Sequence, residues 1–120
     1  MNDSNIKIIV DAGHGGLDGG ASANNLIEKN LNLQSSLYMY ERFKELGIPV
    51  SITRDTDITL SPTDRTNKIL SLYGNNPNVI VISNHINAGG GEGAEVIYAL
   101  RNNNKLAVLC VVVHIGYEFI

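Results

Sequence analysis

One cysteine in 120 residues, Cys110, rules out an intrachain disulfide framework and a cysteine-built zinc knuckle. A marked excess of one charge is missing as well: the net value is −3 and the lysines and arginines are scattered rather than striped, so the chain lacks the basic face of a nucleic-acid binder. Long hydrophobic runs are missing. The longest apolar stretch, LAVLCVVV at 106–113, falls far short of the roughly 20 residues that a membrane-crossing helix needs. The opening MNDSNIKIIVDAG does not show the basic, apolar and small-residue order of a secretory leader. Internal repeats, linkers and low-complexity segments are also absent. What remains, 43% hydrophobic and 18% charged, is an ordinary composition for a single domain over residues 1–120.

The patterning is that of an α/β chain. IKIIVD at 6–11 is β-branched and nearly continuous, as in a strand buried on both faces. A glycine-rich loop, 13–20, leads into NNLIEKNLNLQSSLYMYERFKELG, where Leu33, Leu37, Tyr40 and Phe43 recur at helical steps and Gly47 supplies the stop. PVSIT at 49–53 reads as a second strand. SPTDRTNKILSLYG opens with Ser61 as N-cap, Pro62 at the first helical position and Asp64 in the first turn, and Gly74 closes it. NVIVIS and GAEVIYAL follow as strands. LAVLCVVVHI is ambiguous by period, but three successive valines favour a strand that needs a partner, in the sheet or on a second chain. Strand–helix alternation predicts a twisted, mostly parallel sheet with helices on both faces, whose ligands collect at the carboxyl ends of the strands.

Two histidines fall at such ends: His14 within DAGHGG and His85 within SNHINAGGGEG. Neutral imidazole is the commonest metal ligand, and a catalytic zinc takes three protein ligands. Glu28, in the first turn of the first helix, is the leading third donor. Each residue also has a simpler explanation. His14 serves equally well as a loop histidine bonded to backbone, and His85 as a satisfied strand-end histidine. Glu28 completes a capping box with Asn25. His114, inside an apolar run, is expected at the core edge. A dinucleotide fingerprint would need glycine where Asp18 stands, so the glycine loop supports that reading poorly. Asp11 and Asn87 are candidates to orient the imidazoles, and equally candidates for loop capping.

The segments VDAGHGGLDGGA, EKNLNL, TRDTDITLSPTDRTNKI, VISNHINA and GAEVIYA, in that order between about residues 6 and 100, resemble the zinc-dependent N-acetylmuramoyl-L-alanine amidases. These are cell-wall hydrolases of bacterial remodelling, spore germination and phage lysis. The resemblance implies an amidase-like α/β domain, Zn2+ held by His14, Glu28 and His85, and peptidoglycan as substrate. The bond cleaved would join N-acetylmuramic acid to the L-alanine of the stem peptide, so the site of action would be the cell wall. Zinc chemistry suits an amide: it polarises the carbonyl and acidifies water. The glycines flanking His14 and those at 89–91 and 93 would leave an open groove for a polymer.

The resemblance also implies a glutamate on a later strand acting as general acid or base, and a domain continuing past this tail. Nothing after Tyr98 matches that motif. Glu118 is the sole carboxylate of the tail, Glu92 and Glu95 lie near His85 in sequence, and none takes the catalytic role. The domain therefore reads as shortened at its C-terminus. Two functional classes stand side by side: a zinc amidase, and a non-catalytic peptidoglycan-binding or regulatory relative that keeps the groove. The expectation for this chain is zinc binding with poor hydrolysis, and a homodimer if the C-terminal strand pairs with a second copy.

Overall fold

The computed structural model describes residues 5–86 and, beyond them, the backbone of two strands, 93–98 and 107–114. Strands β1 (Lys7–Ala12), β4 (Val50–Ile52), β5 (Val79–Ile86), β6 (Gly93–Tyr98) and β7 (Ala107–His114) form one sheet in the order β4-β1-β5-β7-β6. The first three pairings are parallel, and β6 runs antiparallel to β7. The ambiguous C-terminal run is thus a strand, and both of its edges are paired inside the sheet.

Burial explains the layering. In β1, Ile8 and Val10 share one face with Ile82, covered by Met39 and Phe43 of α1 (Glu28–Glu45). Ile9, Val79 and Val81 make the other face, covered by Ile69, Leu72 and Tyr73 of α2 (Pro62–Tyr73). Burying Ile9 or Val10 fully contributes about 1.5–3 kcal/mol each. The helices therefore sit on both faces, as the sequence predicts. No helix among the described residues is long and apolar enough to cross a membrane.

Three helix ends that the sequence announces are built as expected. Ser61 accepts the Asp64 backbone N–H at 3.1 Å, Pro62 begins α2, and Gly74 at φ 70° ends it. At the end of α1, Ile48 N–H reaches the Phe43 carbonyl and Gly47 N–H the Lys44 carbonyl, a Schellman closure around Gly47 at φ 73°.

The start of α1 differs from expectation. Asn25 is not a capping residue; with Asn24 it forms a two-residue turn, both at positive φ, between the short strands β2 (Ser22–Ala23) and β3 (Leu26–Ile27). Two adjacent left-handed asparagines make the primed turn that suits a tight hairpin. Ile27 is the N-cap and offers no side-chain acceptor. The first helical N–H groups are met instead by loop carbonyls: Glu28 N–H by Ala21 and Lys29 N–H by Gly19. The apolar stripe is also offset. Leu33 and Leu37 are half-buried, while the deepest row on α1 is Glu28, Asn32 and Ser36, continued by Met39 and Phe43.

Candidate metal centre

Register builds the site. Ala12 of β1 lies opposite Asn84 of β5, and Gly13 N–H continues the ladder to the Asn84 carbonyl. The next residues along, His14 and His85, therefore emerge at the same carboxyl rim. Their rings stand 5.0 Å apart, edge to face at 80°. Gly13 is required by this approach, since a Cβ there would lie 2.5 Å from His85 Cε1. Gly20, at φ 68°, makes equal room for Glu28: a Cβ would lie 2.5 Å from Oε2.

Glu28 is the centre of the cluster. It is 3% exposed, and its Oε1 lies 3.1 Å from His14 Nε2 and 3.2 Å from His85 Nδ1. Ile86 N–H donates to that oxygen at 2.9 Å, Asn32 Nδ2 at 3.2 Å, and Ala21 N–H to Oε2 at 2.9 Å. Burial pushes the carboxyl pKa up, but these backbone and amide donors, with the nearby His14, outweigh it and hold the group below the ordinary glutamate value.

One donor atom from each of His14, Glu28 and His85 lies within 4.8 Å of the others, the only such group among the described residues. Donors around a tetrahedral zinc at about 2.0–2.2 Å stand roughly 3.3 Å apart. The separations of 3.1 and 3.2 Å serve a hydrogen bond or neighbouring ligands of one ion equally well. Two imidazoles and a carboxylate are a fitting donor set, and all three residues singled out by the sequence come together.

The residues around them are partly different from those expected. His14 Nδ1 is held by Asp18 Oδ2 at 2.8 Å, and this bond holds the Asp18 carboxyl below its ordinary value. An ion held on Nε2 would leave the ring proton on Nδ1, where Asp18 accepts it. Asp11 touches neither histidine: it lies on the α2 face with Thr53, Ser83 and Arg65. The signal for Asp18 was its place four residues after His14 in a glycine loop, where a tight return brings the two together; Gly15 and Asp18 bond to each other's backbones. Asn87, Glu92, Glu118 and the glycines at 89–91 lie outside the described residues. Glu95 and His114 are placed only by their backbones, in β6 and β7.

Replacing Asp18 with alanine should weaken metal affinity about 10–100-fold while leaving the three donors in place. Chelator competition measures this, and affinity within about twofold of the parent would remove Asp18 from the site.

Sheet, helices and cluster together make an α/β domain with a three-donor site at its carboxyl rim. The chain belongs to the N-acetylmuramoyl-L-alanine amidase family, which it matches over residues 8–113. N-acetylmuramoyl-L-alanine amidase CwlM of Bacillus licheniformis is 44% identical over 92 residues, covering 75% of this chain and 35% of its own. The sporulation-specific N-acetylmuramoyl-L-alanine amidase of Bacillus subtilis is 39% identical over 97 residues, covering 75% and 34%. The crystal structure of an N-acetylmuramoyl-L-alanine amidase from Clostridium difficile matches with a TM-score of 0.71 at 28% identity, covering 82% of this chain and 54% of that one. The chain spans about a third of the length of these two curated relatives.

Proposed function

We propose that the domain, read as one unit over 1–120, binds Zn2+ through His14, Glu28 and His85 and hydrolyses the amide between N-acetylmuramic acid and L-alanine in peptidoglycan, acting at the cell wall. The observation that carries this reading is the Glu28 carboxylate facing both imidazoles at 3.1 and 3.2 Å on the rim of a sheet whose family is the amidases. Bound there, zinc would supply Lewis acidity to an amide carbonyl and to water. The chain's own part is to present the donors: Asp18 holds the proton on His14 Nδ1, the Ala21 and Ile86 N–H groups keep Glu28 ionised, and Gly13 and Gly20 leave space for the rings and carboxylate.

The test is digestion of purified peptidoglycan by the zinc-loaded protein. The expected result is new L-alanine amino termini without new reducing ends, lost on chelation and in His85→Ala. Zinc uptake and peptidoglycan binding with no amide cleavage would favour the second reading, a non-catalytic wall-binding or regulatory protein. The C-terminal strand is paired on both edges inside the sheet, which leaves it no edge for a second copy; sedimentation of the intact protein tests the homodimer expected from the sequence.

A further inference from the structure

The segment TRDTDITLSPTDR, residues 53–65, contributes no donor to the His–Glu–His cluster, yet its side chains surround the loop that carries His14. Arg54, 2% exposed, donates from Nε to the Ala12 carbonyl at 3.1 Å and from Nη2 to the Gly13 carbonyl at 2.9 Å. Arg65, in the first turn of α2, donates from Nη2 to the His14 carbonyl at 2.8 Å and from Nη1 to Ala12 O at 2.8 Å and Asp11 Oδ1 at 2.6 Å. At the outer end, Asp57 accepts Gly16 N–H at 2.7 Å and Thr59 Oγ1 accepts Leu17 N–H at 2.9 Å.

The loop needs such support. His14 sits at φ 59°, left-handed backbone that a side chain rarely adopts, and Gly15 and Gly16 follow at φ 135° and 58°. Gly13 O has a second donor in Asn32 Nδ2 of α1 at 3.1 Å, and the His14 carbonyl is met by Arg65 Nη2. The guanidinium of Arg65 acts as a planar fork, bonding three oxygens on β1 and the loop at fixed mutual angles.

We propose that residues 54–65 are a mould that sets the metal loop in its ligating conformation, and that Arg65 is the positioning residue for His14, acting through the His14 backbone carbonyl. The inference rests on the zinc reading above. It makes the direction of the His14 imidazole a property of the folded chain, present before any ion arrives.

Arg65→Lys tests it. A lysine keeps a positive charge beside Asp11 but, as a single point, does not span to the His14 carbonyl. The measurements are zinc affinity by chelator competition, the visible spectrum of the cobalt(II)-loaded protein, and thermal unfolding without metal. The expected result is affinity 10–100-fold weaker and a changed cobalt spectrum, in a protein that still unfolds cooperatively. Affinity within about twofold of the parent, with an unchanged spectrum, would overturn the role of Arg65. If Arg65→Lys does not fold, Thr59→Ala probes the same mould at its exposed end: weaker affinity in a folded protein supports the mould, and unchanged affinity overturns it. A parent protein that takes up no zinc overturns both this inference and the zinc reading.

Discussion

Glu28→Ala is expected to abolish metal uptake and to destabilise the metal-free protein by about 3 kcal/mol, whereas His85→Ala abolishes uptake at a cost below about 1 kcal/mol. The difference comes from what each side chain leaves behind. Removing the Glu28 carboxylate strands the Ala21 and Ile86 N–H groups and takes one of the two acceptors of the Asn32 amide, and each unpaired buried donor costs about 1–3 kcal/mol. His85 has a side chain 30% exposed, so water replaces it. Metal content and urea unfolding of the two apo variants measure both effects. Equal stability of Glu28→Ala and the parent would show that the carboxylate is not the hub of this rim. The pH dependence follows from the same donors. Because the carboxyl is held below its ordinary value, its stabilisation is fully present above about pH 4.3 and is lost as pH falls through the depressed folded value. Glu28→Ala should lack that part of the acid transition.

Asp11→Ala should cost about 3–5 kcal/mol, lowering the thermal midpoint by roughly 10 °C or more. Asp11 is 2% exposed and accepts from Thr53 Oγ1 at 2.7 Å, Ser83 Oγ at 2.6 Å and Arg65 Nη1 at 2.6 Å, tying β1 to β5, to α2 and to the segment after β4. Its removal leaves a largely buried guanidinium, side chain 16% exposed, without its counter-charge. The exposed Arg42–Glu45 pair on α1 is the natural control: broken by Glu45→Ala, it should cost no more than about 0.5 kcal/mol. Calorimetry of the two variants checks the contrast, and a loss below about 1 kcal/mol for Asp11→Ala would mean that the network relaxes around the gap.

Much of this architecture was legible in the residues. IKIIVD and NVIVIS are apolar on both sides because both faces of those strands are covered, and that continuity marks a central parallel strand. Ser61, Pro62 and Gly74 act locally, so their reading carried over to α2 unchanged. The three cluster residues were found because strand ends and a first helical turn are positions set by the chain itself. What escaped depends on contacts between distant segments. Asn25 satisfies the spacing of a capping box with Glu28, but a hairpin competes for the same asparagine and wins. Glu28, Asn32 and Ser36 look like a solvent face by polarity; they are inward because Gly13 O, the histidines and Asn84 wait there as partners. Asp11 stood close enough to His14 in sequence to suggest contact, yet the pleat directs it to the α2 face, where Ser83, Thr53 and Arg65 hold it.

The inward row of α1 changes character along its length, and this decides where the helix can move. Apolar contact is non-directional, so Met39 and Phe43 would stay in apolar surroundings if α1 slid along its axis by one residue's rise, about 1.5 Å. The polar end resists such a slide: the Asn32 amide meets Gly13 O at 3.1 Å and the Asn84 amide meets Ser36 Oγ at 2.8 Å, and a shift of that size lengthens or misaligns both bonds. The helix is therefore indexed at one end and only gripped at the other. The indexed end carries Glu28, so small axial play in α1 is taken up toward Gly47, away from the histidines.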